Sequence, residues 1–179
     1  GMRGSVAGGF REQNYHDLVD MPFFVGRIDY DSMTVDGLNV RLATYPAGKL
    51  SGPARAEPWG EHRRLFAPQA AAFGETPFDS YTTLIVFSDT FGGGSALEHQ
   101  TAHLGIYTSE GIGQDWIPSV TSHEMVHAWN VKRMRPAEMV PYRYDVPQPT
   151  PWLWVSEGIT DYYADLTLVR GGIVDSAEF

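Results

Sequence analysis

The chain of 179 residues contains no cysteine, which excludes disulfides, thiol chemistry and cysteine-ligated metals and leaves the redox compartment open. No apolar run approaches the length that spans a bilayer, and no secretory signal is visible. Basic residues are scarce, with 13 Lys and Arg against 22 Asp and Glu and a formal net charge of −9. An acidic chain without a basic stripe disfavours nucleic acid and anionic membranes as partners. There is no internal repeat and no low-complexity tract. Histidine is uncommon too, at 6 residues, so a short stretch that holds two of them stands out.

A hydrophobic content of 42% supplies ample material for a core, and the length suggests a single domain. Residues 1–13 read as a tail outside the fold, and 14–179 as the domain. Phe23–Tyr30 reads as a strand. Met33–Val35 and Leu38–Tyr45 read as a hairpin, because Asp36-Gly37 between β-prone runs favours a type I′ turn. A helix is expected from about Pro58 to Phe73, ended by Gly74. Tyr81–Ser88, a continuous apolar run, reads as a buried strand. After the glycines at 92–94, Thr101–Tyr107 reads as an edge strand, able to hold extended peptide by main-chain hydrogen bonds.

The stretch around which the rest is organised is Thr121–Asn130, T-S-H-E-M-V-H-A-W-N. On a helix, His123 and His127 share one face and can aim their imidazoles at one centre. Two neutral nitrogens make two corners of a tetrahedral zinc site, and Glu124 beside them can take a proton from water. Pro118 suits a first helical turn, Thr121 and Glu124 have capping-box spacing, and Arg135-Pro136 should end the helix. A third ligand is still needed. Asn130 and Arg133 stand where a metzincin pattern wants glycine and histidine, and no cysteine exists to serve instead. A carboxylate from a second helix remains, as in the His₂Glu sites.

Trp152–Leu166, which reads as a helix, supplies it. Glu157, Asp161 and Asp165 recur every four residues, so they line one helical face and repel one another unless cations lie opposite. We assign Glu157 as the third ligand. Asp161, one turn on, can accept the outer ring N–H of a ligand histidine and fix its tautomer. Tyr162 and Tyr163 read as core.

Two stretches, S-H-E-x-x-H-A-W-N-V-K-R-x-R-P at Ser122–Pro136 and L-W-V-S-E-G-x-T-x-Y-Y-x-D-L-x-L-V-R at Leu153–Arg170, resemble the glycyl aminopeptidase family of zinc metallopeptidases. That family belongs to the gluzincin clan with thermolysin and aminopeptidase N. The resemblance implies an α+β, thermolysin-like (zincin) catalytic domain, with a mixed β-sheet subdomain followed by the metal-binding helices. It implies Zn²⁺ on His123, His127 and Glu157, and Glu124 as general base. Relatives carry further domains on both sides, so a catalytic-domain fragment is expected. Leu97-Glu98-His99 matches part of the family's Gly-Gly-Leu-Glu-His, although Ser95-Ala96 replaces the glycines. Glu98 is therefore expected to grip the α-amine of a peptide substrate with a small first residue. The competing reading is an inactive homologue that binds zinc and serves as a peptide-binding module. His99 and His103 are read as structural. The oxyanion donor, the oligomeric state and the compartment are not legible.

Overall fold

Strands rich in β-branched and aromatic residues form a mixed five-stranded sheet in the order β3-β4-β5-β7-β6. The computed structural model describes residues 5–6, 9–114, 116–177 and 179. A small antiparallel pair, β1 (Ser5–Val6) and β2 (Gly9–Phe10), precedes a short helix, α1 (Tyr15–Val19). The sheet strands are β3 (Asp29–Val35), β4 (Leu38–Tyr45), β5 (Ser80–Phe87), β6 (Gly94–His99) and β7 (Ala102–Tyr107). The β3–β4 and β6–β7 pairs are antiparallel hairpins, while β4–β5 and β5–β7 run parallel.

The first hairpin closes at Val35 opposite Leu38, with Asp36 at φ 50° and Gly37 at φ 82°. Two successive positive φ values are what a type I′ turn requires, in line with the Asp-Gly signal. The strand expected at Phe23–Tyr30 begins only at Asp29, because Gly26 at φ 144° interrupts the extended run before it.

The parallel β4–β5 connection is made by α2 (Pro53–Phe73), which ends at Gly74 in the left-handed conformation that glycine adopts without penalty. The helix starts ahead of Pro58. Pro58 and Pro68 lie inside it, and the Pro58 carbonyl accepts a hydrogen bond from the buried His62 ring at 2.6 Å. Proline there marks the interior, although its usual place is the first turn.

Two further helices, α3 (Trp116–Val126) and α4 (Leu153–Arg170), pack against each other and against α2. Their common core joins Leu38, Val40 and Tyr81 of the sheet to Leu65, Met125 and Leu168 of the helices. A second cluster of Leu42, Leu50, Ile85, Phe87 and Tyr107 fills the space farther along the sheet.

Several expectations need correction. Thr121 and Glu124 are buried inside α3, a full turn past its start, so they form no capping box. The helix also ends well before Arg135. Past Val126 the backbone tightens to Ala128 N–H to Met125 O and Trp129 N–H to Val126 O, then turns through Val131 at φ 100°. The Arg133 guanidinium donates to the Ala128 and Pro77 carbonyls, at 2.5 and 2.7 Å, and holds that turn. The edge strand is β6. β7 lies inside the sheet between β5 and β6, and its residues are mostly buried. Tyr162 is 55% exposed, although Tyr163 packs on Phe73 in the core.

Candidate active site

The closeness of α3 to α4 is built from small side chains. The buried face of α4 is Ser156, Thr160, Ala164, Thr167 and Leu168. Ser122 of α3 donates its hydroxyl to Ala164 O at 2.9 Å and lies 3.1 Å from the Thr167 hydroxyl. Gln69 of α2 donates to Ser122 O at 3.1 Å. Such buried polar contacts fix the axial register of two helices more strictly than apolar packing alone.

That register places Glu157 opposite the paired histidines. His123 Nε2 and His127 Nε2 are 2.9 Å apart, and Glu157 Oε2 lies 3.3 Å from the first and 3.4 Å from the second. All three ligand atoms fall within 4.8 Å of one another, a group that could hold a metal ion. In a tetrahedral site with bonds of about 2.0–2.1 Å, ligand atoms sit roughly 3.3 Å apart. Both histidine–glutamate edges meet that spacing, and the histidine–histidine edge is slightly tighter.

The outer ring nitrogens decide the tautomers. His123 Nδ1 lies 2.6 Å from Asp161 Oδ1, and His127 Nδ1 lies 2.9 Å from the Asn130 carbonyl. Carbonyl and carboxylate oxygens only accept, so each Nδ1 carries the proton. A neutral imidazole protonated at Nδ1 has a bare lone pair at Nε2, and here both Nε2 atoms face each other and the Glu157 carboxylate. Three acceptors that converge without a donor repel. A cation at their centre removes the conflict, so the donor set fits a bound divalent metal.

Asn130 ties the cluster to α4. Its carbonyl orients His127, while its amide donates to Val155 O, Ser156 O and Thr160 Oγ1 at 3.0, 3.1 and 3.0 Å. The sequence reading used Asn130 only to reject another motif. A buried amide directly after Ala128 and Trp129 was the available signal.

Glu124 is 6% exposed, and its Oε2 has no hydrogen-bond partner among the described residues. Its pKa is pushed up to about 8, first by burial and then by the charges of Glu98 and Glu157, with Lys132 opposing. It opens on a cleft of about 600 Å³, walled by Ala96 and Tyr107 of the sheet and by Val120, His123 and Asp161 of the helices. Burial raises the Tyr107 phenol, and the Glu124 charge raises it further.

Glu98 lies on edge strand β6, opposite His103 of β7, with its side chain 20% exposed. Its Oε1 is 3.8 Å from Lys132 Nζ, which donates to Asp20 Oδ1 at 2.9 Å. The other Asp20 oxygen accepts from the Gln100 backbone N–H at 2.7 Å. Burial alone would raise the Asp20 pKa, but His99, Lys132 and Gln100 together hold it below its usual range. Asp20 and Lys132 were not singled out from sequence, because nothing local links a residue after α1 to one after α3. Asp165 is exposed, and His99 and His103 are buried.

With this geometry in view, residues 117–179 match the family model described as M61 glycyl aminopeptidase. That segment contains α3 from its second residue, all of α4 and every side chain of the three-ligand cluster. The chain outside the M61 segment is reached by structural similarity. A crystal structure of an aminopeptidase N family protein from Idiomarina loihiensis superposes with a TM-score of 0.86 at 25% identity, over 99% of this chain. The chain spans 32% of the length of that structure. No curated protein matches the sequence.

Proposed function

We propose that the chain is the catalytic domain of a zinc-dependent aminopeptidase with a thermolysin-like arrangement, acting on peptides with a free N-terminus and a small first residue. The observation that carries this reading is the convergence of His123, His127 and Glu157 beside the buried Glu124. The match of residues 117–179 to a peptidase family model and the aminopeptidase structural neighbour support it.

His123, His127 and Glu157 would hold the metal through Nε2, Nε2 and Oε2. Zinc bound there supplies Lewis-acid polarisation of a carbonyl and lowers the pKa of water at the site. Asp161 and the Asn130 backbone carbonyl hold the two Nδ1 atoms, so that both Nε2 atoms face the Glu157 carboxylate. Glu124 accepts the proton of the attacking water and returns it to the leaving amine. Positive charge at the neighbouring cluster favours the ionised form of Glu124 that this first step needs. β6 offers its outer edge to extended substrate backbone, and Glu98 on the same strand receives the terminal ammonium.

A module that only bound peptide would have no use for Glu124, because a buried carboxylate oxygen without a partner costs stability. The test uses the full-length protein, assayed on an aminoacyl amide with metal analysis in parallel. Glu124→Gln is expected to keep its metal and lose hydrolysis by at least a hundredfold. His123→Ala and Glu157→Ala are expected to lose the metal. Unchanged turnover in the first variant, or stoichiometric metal in either of the others, contradicts the assignment.

A further inference from the structure

Lys132 sits between two carboxylates and is shared unequally. Its ammonium is at hydrogen-bond distance from Asp20, 2.9 Å, and beyond it from Glu98, 3.8 Å. All three side chains are largely enclosed, at 10%, 15% and 20% exposure. An ammonium in such a place is drawn strongly to whichever carboxylate is nearer, since solvent screens little there. Lys132 is the same chemical group as a peptide N-terminus. If it moved onto Glu98, it would occupy the partner that an incoming amine needs.

What prevents this is the way Asp20 is held. One of its oxygens accepts a hydrogen bond from the Lys132 ammonium, and the other accepts the Gln100 N–H at the turn between β6 and β7. Gln100 also reaches Asp17 of α1, with Nε2 3.3 Å from Oδ1. The backbone of Lys132 is fixed independently, because its N–H donates to the His127 carbonyl at 3.0 Å and Arg135 donates to its own carbonyl. With its backbone held, the Lys132 side chain lies between an anchored aspartate and a glutamate on the edge strand.

We propose that Asp20 is a specificity-determining positioning residue, which clamps the Lys132 ammonium away from Glu98 so that Glu98 stays available to the α-amine of a peptide substrate. The proposal rests on the reading of Glu98 as the amine-binding group. Asp20 touches no substrate. It acts through Lys132, and its loss should weaken recognition of a charged N-terminus while sparing the other contacts of the peptide.

The experiment measures, by calorimetry on the full-length protein, binding of a glycyl ketomethylene dipeptide isostere and of its N-acetylated form. Asp20→Asn keeps an oxygen for the Gln100 N–H and removes the charge that retains Lys132. It is expected to weaken binding of the free-amine isostere about tenfold and to leave the acetylated one unchanged. Adding Lys132→Met to that variant removes the competing ammonium and is expected to restore most of the lost affinity. A general loss of structure would weaken both ligands and would not be recovered by a second substitution. The inference is overturned if Asp20→Asn leaves free-amine binding intact, weakens both ligands alike, or is not rescued by Lys132→Met. Glu98→Gln separates the two levels of the argument. If that change leaves the preference for the free amine intact, the reading of Glu98 fails and the clamp fails with it. If it abolishes the preference while Asp20→Asn has no effect, only the clamp is wrong.

Discussion

Asp161 Oδ1 lies 2.6 Å from Nδ1 of His123, one turn along α4 from the Glu157 carboxylate that faces the other nitrogen of the same ring. One helix thus addresses both sides of one imidazole, with an acceptor behind it and a prospective co-ligand in front. Asp161→Ala is expected to weaken metal binding about tenfold to a hundredfold, read by competition with a chelator. Asp161→Asn should lose less, since its side-chain oxygen can still accept. Metal affinity equal to the unaltered protein's in both variants would show that the ring is oriented by packing instead.

Asn130 joins the metal helix to the glutamate helix through one buried side chain. Asn130→Ala removes the hydrogen bonds to Val155, Ser156 and Thr160, and should cost about 1–3 kcal/mol of stability in urea unfolding. Metal affinity should fall in step, because the same residue sets the His127 loop. A stable variant with normal metal uptake would show that the helices find their register without it.

Buried histidines should cost the fold stability as the pH falls below about 6.5, while Glu124, raised to about 8, acts in the opposite sense over the same range. His103 is fully buried, and its pKa is lowered to about 3 by burial first, then by the neighbouring His62 and His99. Burial lowers His62 as well. The unfolded chain binds protons on these rings near pH 6.5, whereas the folded protein does not. The stability that His103 contributes is therefore full above about pH 6.5 and is lost as pH drops toward 3, by at most about 1.4 kcal/mol per pH unit, and His62 acts in the same direction. The measurement is unfolding free energy between pH 6.5 and 5, for the protein and for His103→Gln. The slope should be shallower in the variant; equal slopes would remove His103 from the effect.

Gly105 makes room for the ring of Tyr107, its neighbour along the same face of β7. A Cβ at Gly105 would lie 2.5 Å from the Tyr107 hydroxyl oxygen and 2.6 Å from the nearest ring carbon. Tyr107 is 1% exposed, so Gly105→Ala should cost about 1–3 kcal/mol by overpacking. An unaltered urea midpoint would mean that the ring yields freely.

The legible parts were those whose evidence is local. His123 and His127 are one helical turn apart, so their pairing follows from spacing alone, and the run of acids on α4 marked Glu157 and Asp161. The Asp36-Gly37 turn and the end of α2 at Gly74 were equally plain, because positive φ leaves a residue signature. The errors arose where tertiary contacts override local rules. Pro58 is tolerated inside α2, α3 gives way to a turn held by Arg133, and β7 was taken for the edge because hairpin partners look alike in sequence. The Asp20–Lys132 pair spans separate parts of the chain and has no periodicity to betray it.

β6 closes the sheet on one side with no strand neighbour among the described residues. Unpaired amides along such a border recognise the spacing of another backbone, which is the same for every peptide. Main-chain pairing along that border would hold any extended peptide alike, so on the proposed reading a preference for a free chain end rests on Glu98.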